Sequence, residues 1–170
     1  MRVYLAARFS RRAELAGYAE ILRSSGIEVT SRWLGGNHQI PKDGEVDGFE
    51  ARRFAREDIE DLLAADTVVC FTEPDGTPHT RGGRHVEFGL ALGVGKQVIL
   101  IGPRENVFYW LPAVWRYKDF WNWFEEVWRA GRVTEKGVKD TQGEESREIL
   151  TADGTDGRGL GNVEEVEARR

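Results

Sequence analysis

Glu87 is the residue of this chain best placed to act on a bound molecule. It lies in residues 72–101 (TEPDGTPHTRGGRHVEFGLALGVGKQVILI), which read as a strand end, a long polar loop, a Gly82-Gly83 helix start, a short helix and a second strand. Glu87 falls about one turn into that helix. A carboxylate there either complements the helix dipole or, facing a ligand, serves as a nucleophile toward a carbon that develops positive charge. Asp58 stands in an acidic run with Glu57, Glu60 and Asp61. It is either a solvated helix residue or a carboxyl that moves a proton. Asp66 reads as a cap or turn residue before a strand. Tyr4 reads as core or as a hydroxyl that fixes a carboxylate rotamer. Ser10 lies among Arg8, Arg11 and Arg12, which are surface charges or phosphate contacts. His38, His79 and His85 fit no metal-ligand spacing and Cys70 sits in an apolar strand, so no metal and no cofactor is expected.

These groups need elements to hold them, and composition bounds what those can be. A length of 170 residues suits one domain with a real core. The 40% hydrophobic and 31% charged residues fit a globular protein. A net charge of −5 argues against a partner that is a nucleic-acid polymer, which demands a basic face. One cysteine excludes an internal disulfide and suits a reducing compartment. No apolar run reaches the roughly 18 residues of a membrane span, and the N-terminus begins as a strand and not as a signal peptide. The cytoplasm is the default location.

The pattern alternates strand and helix. Residues 2–7 (RVYLAA) form an apolar strand. Ser10 can cap a helix that runs to about residue 24, with Leu15, Tyr18, Ala19 and Leu22 at helical spacing and Gly26 at its end. A second strand covers 27–30. Residues 33–48, rich in Gly, Pro, Asn and Asp, read as a loop. A helix over 49–65 takes Phe54, Ile59, Leu62 and Leu63 as its apolar face. Strands follow at 67–71 (TVVCF) and 97–101 (QVILI), separated by a helix over 83–94. Residues 114–117 give a short fifth strand, and Asp119 caps a last helix to about 129. Every aromatic residue (six Trp, four Tyr, eight Phe) lies in the first 130 positions. The domain is therefore 1–130. Residues 131–170, polar and without aromatics, read as a mostly disordered tail, with a short helix over 163–168 the one element it could form.

Strands joined by helices imply a parallel sheet with right-handed crossovers. The expected fold is α/β, a flavodoxin-like doubly wound sheet of about five parallel strands. Ligands of such sheets bind beyond the carboxyl ends of the strands, where the strand order reverses, here between the first and third. The loops there carry Arg8, Ser10, Arg11 and Arg12 on one side and Asp75, Thr77, His79, Thr80, Arg81, Gly82 and Gly83 on the other. Helix starts at the same ends favour anions. Fold logic alone puts an anion-friendly pocket here, with Glu87 on its wall.

With Tyr4 in VYLAA, Asp58 and Asp66 in EDIEDLLAAD, the TVVCF strand, and Glu87 in HVEFGLALGVGKQVIL, the chain resembles the nucleoside 2-deoxyribosyltransferase family and its relatives, the deoxynucleoside 5′-monophosphate N-glycosidases. The resemblance covers roughly residues 2–128. The chain departs from the family's common Gly-Thr-x-x-Glu pattern, having Gly-Gly-Arg-His-Val-Glu. The resemblance implies that Glu87 is the nucleophile that attacks C1′ of a deoxyribose, that Asp58 handles the leaving base, and that Tyr4 positions the nucleophile. It implies a small nucleoside or nucleotide substrate and a homo-oligomer, dimer or higher. Arg8, Ser10, Arg11, Gly82 and Gly83 are the candidate substrate contacts. The arginines tilt the reading toward monophosphates, hence toward hydrolysis. Three alternatives stand beside this one: transfer to a second base, a glycohydrolase acting on a ribosyl or nicotinamide-type bond, and a non-catalytic nucleotide-binding module of the same fold. The aromatics of 106–128 are read as core or as a subunit interface.

Overall fold

In the computed structural model the described residues are 1–36, 48–74, 76–77 and 82–136, with the backbone alone for 131–136. Five strands form one sheet: β1 (Arg2–Ala6), β2 (Glu28–Val29), β3 (Thr67–Phe71), β4 (Gln97–Ile101) and β5 (Val114–Tyr117). Their order is β2-β1-β3-β4-β5 and every pairing is parallel. Four helices flank it: α1 (Arg12–Ser24), α2 (Gly48–Ala64), α3 (Gly83–Gly93) and α4 (Phe120–Lys136). This is the doubly wound, flavodoxin-like architecture, with its switch point between β1 and β3 as the sequence predicts.

The central strands read as apolar runs because both faces of the sheet are covered. All five residues of β3 are buried, as are the last four of β1 and of β4. Each fully buried Val or Leu contributes roughly 1.5–3 kcal/mol relative to exposure, so these strands anchor the fold. One face is covered by α1 and α4, whose Tyr18 and Phe120 rings stack at 4.0 Å. Trp123, Phe120 and Tyr109 are buried, so part of the aromatic segment is core. Val107, Phe108, Trp110, Trp115 and Trp121 of the same segment are exposed. The opposite face is covered by α2 and α3.

Three local expectations need correction. Ser10 does not cap α1: residues Phe9–Arg11 form a separate 3-10 turn, the helix starts at Arg12 without a side-chain cap, and Ser10 is exposed. Ile59 and Leu63 are not on the inward face of α2 but are 47% exposed each. That face carries Asp61 and Leu62 instead, because Arg32 brings Asp61 inward: its backbone N–H donates to Oδ2 at 2.7 Å and its Nε to Oδ1 at 2.6 Å. The stretch after β2 opens not as plain loop but as a 3-10 turn, Arg32–Leu34, with Trp33 and Leu34 buried. Asp119 caps α4 as expected, accepting from the Asn122 N–H at 2.9 Å. Gly26, at φ +78°, ends α1. Residues 37–47 and the tail from 137 onward lie outside the described residues.

Candidate active site at the carboxyl ends of β1 and β3

The register brings Ala6 of β1 level with Cys70 of β3, and Cys70 level with Leu100 of β4. The segments leaving these strands, Ala7–Phe9, Thr72–Pro74 and Gly102–Glu105, therefore share one rim. The strand ends are tied together by Thr72, whose N–H and hydroxyl both donate to the Ile101 carbonyl, at 2.9 and 3.0 Å. Gly82 precedes α3 at φ +85°, a conformation glycine adopts without penalty.

Tyr4 sits mid-strand in β1, completely buried, and points to the α2/α3 face. Its hydroxyl donates to Glu87 Oε1 at 2.6 Å, the short length of a hydrogen bond to a charged acceptor. Burial, then the negative charges of Glu87 and Asp58, push the Tyr4 hydroxyl well above its ordinary value. Tyr4 is thus held as an O–H donor. Glu87 is half-buried in α3. Burial pushes its carboxyl up, against the Tyr4 hydrogen bond and the Arg84 charge, which both pull it down. Asp58 is half-buried in α2, close enough for its charge to act on Tyr4. Tyr4, Asp58 and Glu87, 83 residues apart at the extremes, thus belong to one electrostatic cluster across β1, α2 and α3.

Two other members of the acidic run are engaged by Arg32, although the Asp61 charge also acts on Tyr4. Asp61 is clasped by Arg32 and its carbonyl accepts from the Thr30 hydroxyl at 2.9 Å. Glu60 pairs with Arg32 at 2.9 Å. Asp66 accepts from the Arg2 N–H at 2.8 Å and pairs with its guanidinium at 3.0 Å, a structural role. Both Asp61 and Asp66 serve as staples for chain segments distant in sequence.

The rim carries an ion cluster that the sequence only partly indicates. Arg11 is held bidentate by Glu14, at 2.8 and 2.7 Å, and donates through Nη1 to the Thr72 carbonyl at 3.0 Å. Arg84, in the first turn of α3 and three residues before Glu87, is 5% exposed. It donates to the Phe71 carbonyl at 2.7 Å and pairs with Glu105. Between them lies Glu73, with Arg8 and Arg11 guanidinium nitrogens at 3.7 Å each and an Arg84 nitrogen at 3.8 Å. Arg84, Glu73 and Glu105 escape sequence reasoning. The signal that could find Arg84 is its i, i+3 offset from Glu87, which puts the two on one helix face. Arg12 reaches the Gly36 carbonyl and lies over the Phe9 ring at 5.4 Å. Gly82 and Gly83 form the turn into α3. Ser10 is exposed on the outside of its turn.

His85 points away from Glu87, its Nδ1 3.0 Å from the buried Tyr109 hydroxyl. His38, Asp75, His79, Thr80 and Arg81 lie outside the described residues. Among the described residues no group of three or more His, Cys, Asp or Glu side chains could hold a metal ion. Among them, too, no helix is long and apolar enough to cross a membrane.

No protein-family model matches the chain, and no curated protein matches it in sequence. Solved structures do. A 2-deoxyribosyltransferase from the psychrotolerant bacterium Bacillus psychrosaccharolyticus superposes with TM-score 0.55 at 20% identity, over 74% of this chain and 90% of that one. The CMP N-glycosidase BcmB of Clostridium botulinum gives TM-score 0.46 at 18% identity over 75% and 98% of the two chains. A conserved protein of Enterococcus faecalis gives 0.43 at 20% over 62% and 65%. At these identities the first likeness establishes a shared fold.

Proposed function

We propose that this protein is an enzyme that cleaves or transfers the N-glycosidic bond of a 2′-deoxynucleoside or its 5′-monophosphate. The observation that carries the reading is the 2.6 Å hydrogen bond from the buried Tyr4 hydroxyl to Glu87, at the ligand-binding end of the sheet and within reach of the Asp58 charge. The fold likeness to a solved 2-deoxyribosyltransferase supports it.

In this reading a Glu87 carboxylate oxygen attacks C1′ as the C1′–N bond breaks. The base leaves with the bonding electrons and takes a proton from the Asp58 carboxyl. Tyr4 holds Glu87 in the attacking rotamer. The partial burial of Glu87 strengthens its interaction with the positive charge that develops on the sugar. Water, activated by the Asp58 carboxylate, then releases the sugar from Glu87; a second base in place of water gives transfer. Hydrolysis is the slightly favoured outcome, on the arginines that follow β1 and suit a 5′-monophosphate.

The chain acts as a cytoplasmic homo-oligomer in this proposal. Ile59 and Leu63 of α2 and Val86 and Val94 of α3 are 44–72% exposed, an apolar supply on one side of the sheet that self-association would cover.

Release of free base from a panel of deoxynucleosides and deoxynucleotides, read by chromatography, is the direct test. Glu87→Gln keeps the shape and the acceptor for Tyr4 but loses the nucleophile. Base release is expected to fall at least about a thousandfold, roughly 4 kcal/mol of barrier. A 2-fluoro-deoxyribosyl substrate, slow to turn over, is expected to leave a sugar adduct on the wild-type peptide containing Glu87. A fully active Glu87→Gln protein, or an adduct on Asp58, would sink the assignment. Ligand binding with no base release would leave the non-catalytic nucleotide-binding module as the reading.

A further inference from the structure

Among the described residues Arg84 is the one buried cation. It sits in the first turn of α3, where the helix dipole opposes a positive charge. Its Nε is buried and donates to no protein group, a further cost. Stability alone favours an apolar side chain at such a place. The guanidinium is nonetheless held firmly at two points. Nη1 donates to the Phe71 carbonyl at 2.7 Å, at the carboxyl end of β3, and Nη2 pairs with Glu105 on the segment leaving β4. Glu105 is itself fixed, since its Oε1 accepts from the Glu73 N–H at 2.8 Å. Glu73 Oε1 stands 3.8 Å from Nη1. The planar guanidinium thus ties two strand ends to the helix start, and its charge has one position.

Glu87 lies three residues on, one turn along the same face of α3. Tyr4 meets it from β1, donating to Oε1 at 2.6 Å. Asp58 of α2 brings a negative charge that reaches Tyr4. Cys70 of β3 is a buried thiol, held protonated by burial and by the Glu87 charge. His85, between Arg84 and Glu87 in sequence, is turned to the Tyr109 hydroxyl at 3.0 Å. Arg84 supplies the positive charge that acts on Glu87. A carboxylate must be ionised to attack, and burial works against ionisation. Tyr4 answers with a neutral donor, Arg84 with a full charge.

We infer that Arg84 is a positioning residue: tied to the end of β3 and to Glu105, it holds a fixed positive charge one helical turn before Glu87 and supports that side chain as a charged nucleophile. The inference rests on the glycosidase or transferase reading of Glu87 and adds a residue to it. Arg84 acts through Glu87 and touches no reacting atom.

The test follows base release across pH, using the best substrate from a panel of deoxynucleosides and deoxynucleotides. In parallel the Glu87 carboxyl is titrated by NMR on protein with labelled glutamate, its signal assigned by its loss in Glu87→Gln. Arg84→Gln removes the charge but leaves Glu105 without its cation. The double variant Arg84→Gln/Glu105→Gln removes both partners together and serves where the single variant fails to fold. Arg84→Lys keeps the charge and gives up the two-point hold. In both neutral variants the Glu87 carboxyl is expected to titrate at higher pH than in wild type, and the acid limb of kcat/KM to move up with it. The ratio of kcat/KM at about pH 5 to its plateau value is expected to fall at least about threefold against wild type. Arg84→Lys is expected to keep the wild-type acid limb. A purely structural role would lower kcat/KM by one factor at every pH. An acid limb and a carboxyl titration that stay in place in a folded neutral variant overturn the inference. So does an Arg84→Lys protein whose acid limb moves as far as that of Arg84→Gln. A Glu87 titration that moves as expected, in a protein that releases base from no member of the panel, upholds the link from Arg84 to Glu87 and overturns the glycosidase reading alone.

Discussion

Tyr4 and Glu87 set each other's protonation, and that has consequences that can be measured. Tyr4→Phe keeps the buried ring but removes the donor to Glu87 Oε1. Since that hydrogen bond pulls the Glu87 carboxyl down against the lift from burial, its loss moves Glu87 further up. The acid limb of the pH–rate profile is expected to shift to higher pH in Tyr4→Phe. The efficiency on the plateau should fall about 10- to 100-fold, in line with the roughly 1.5–3 kcal/mol of a hydrogen bond to a charged group. An unmoved acid limb would show that Tyr4 only fills space. Stability carries the opposite sign. Glu87 sits above its ordinary value of 4.5 in the fold, so the folded chain holds this proton more tightly than the unfolded one. Its favourable contribution is complete below that ordinary value and is lost as pH rises through the folded value. At neutral pH the ionised, half-buried carboxylate is a cost that function imposes. Glu87→Gln is therefore expected to melt at a higher temperature than wild type near neutral pH, with the gap closing on acidification toward about pH 4. Thermal melts across that range check it, and a Glu87→Gln protein destabilised at every pH would contradict it.

At the scale of elements, the site depends on two glycines for different reasons. Gly82 turns the loop into α3 at φ +85°, with nothing within 4 Å of where a Cβ would go, so Gly82→Ala meets backbone strain but no collision. A cost of about 1–2 kcal/mol is expected, the price of a left-handed L-residue. Gly102, at φ +112°, leaves β4 against Thr72, and an added Cβ would overlap the Thr72 hydroxyl that ties β3 to β4. Gly102→Ala is expected to cost more than Gly82→Ala and to lower activity as well, because it displaces the rim that carries Glu105. Denaturant unfolding of both variants decides the order; equal costs would remove the distinction. The same scale shows what sequence can and cannot tell. The strands β3 and β4 have the bounds that sequence predicts, since buried apolar runs leave little choice of register. The inward face of α2 is legible at Leu62 but not at Asp61, because a charged residue turned inward by a partner 29 positions away, as Asp61 is by Arg32, has no signature in periodicity. The start of α1 differs from the sequence expectation for a related reason: Ser10 has the chemistry of a cap, but a 3-10 turn precedes the helix and takes it out of register.

At the scale of the whole molecule, the topology does what no segment does alone: it draws Tyr4, Asp58 and Glu87 together. Each was legible as a candidate from type and position, and their joint role came from the family resemblance. The ion cluster of Arg84, Glu73 and Glu105 was not legible, since pairing between charges on separate loops exists only once β3 and β4 lie side by side. Composition makes one further statement about the whole chain. Residues 137–170 hold no aromatic residue and few large apolar ones, and a segment of that composition is expected not to offset the chain entropy of packing. The α4 helix runs to Lys136, past the boundary at 130 that composition suggests, so the informative truncation falls after Lys136. The shortened chain is expected to keep its unfolding free energy within about 1 kcal/mol and to release base at the wild-type rate. A loss of more than about 2 kcal/mol, large by the standard of single-site changes, would show that residues 137–170 pack against the rest. Light scattering on the same sample separates a second role: a truncated chain that keeps its stability but loses both assembly size and base release would place residues 137–170 in the oligomer and not in the fold.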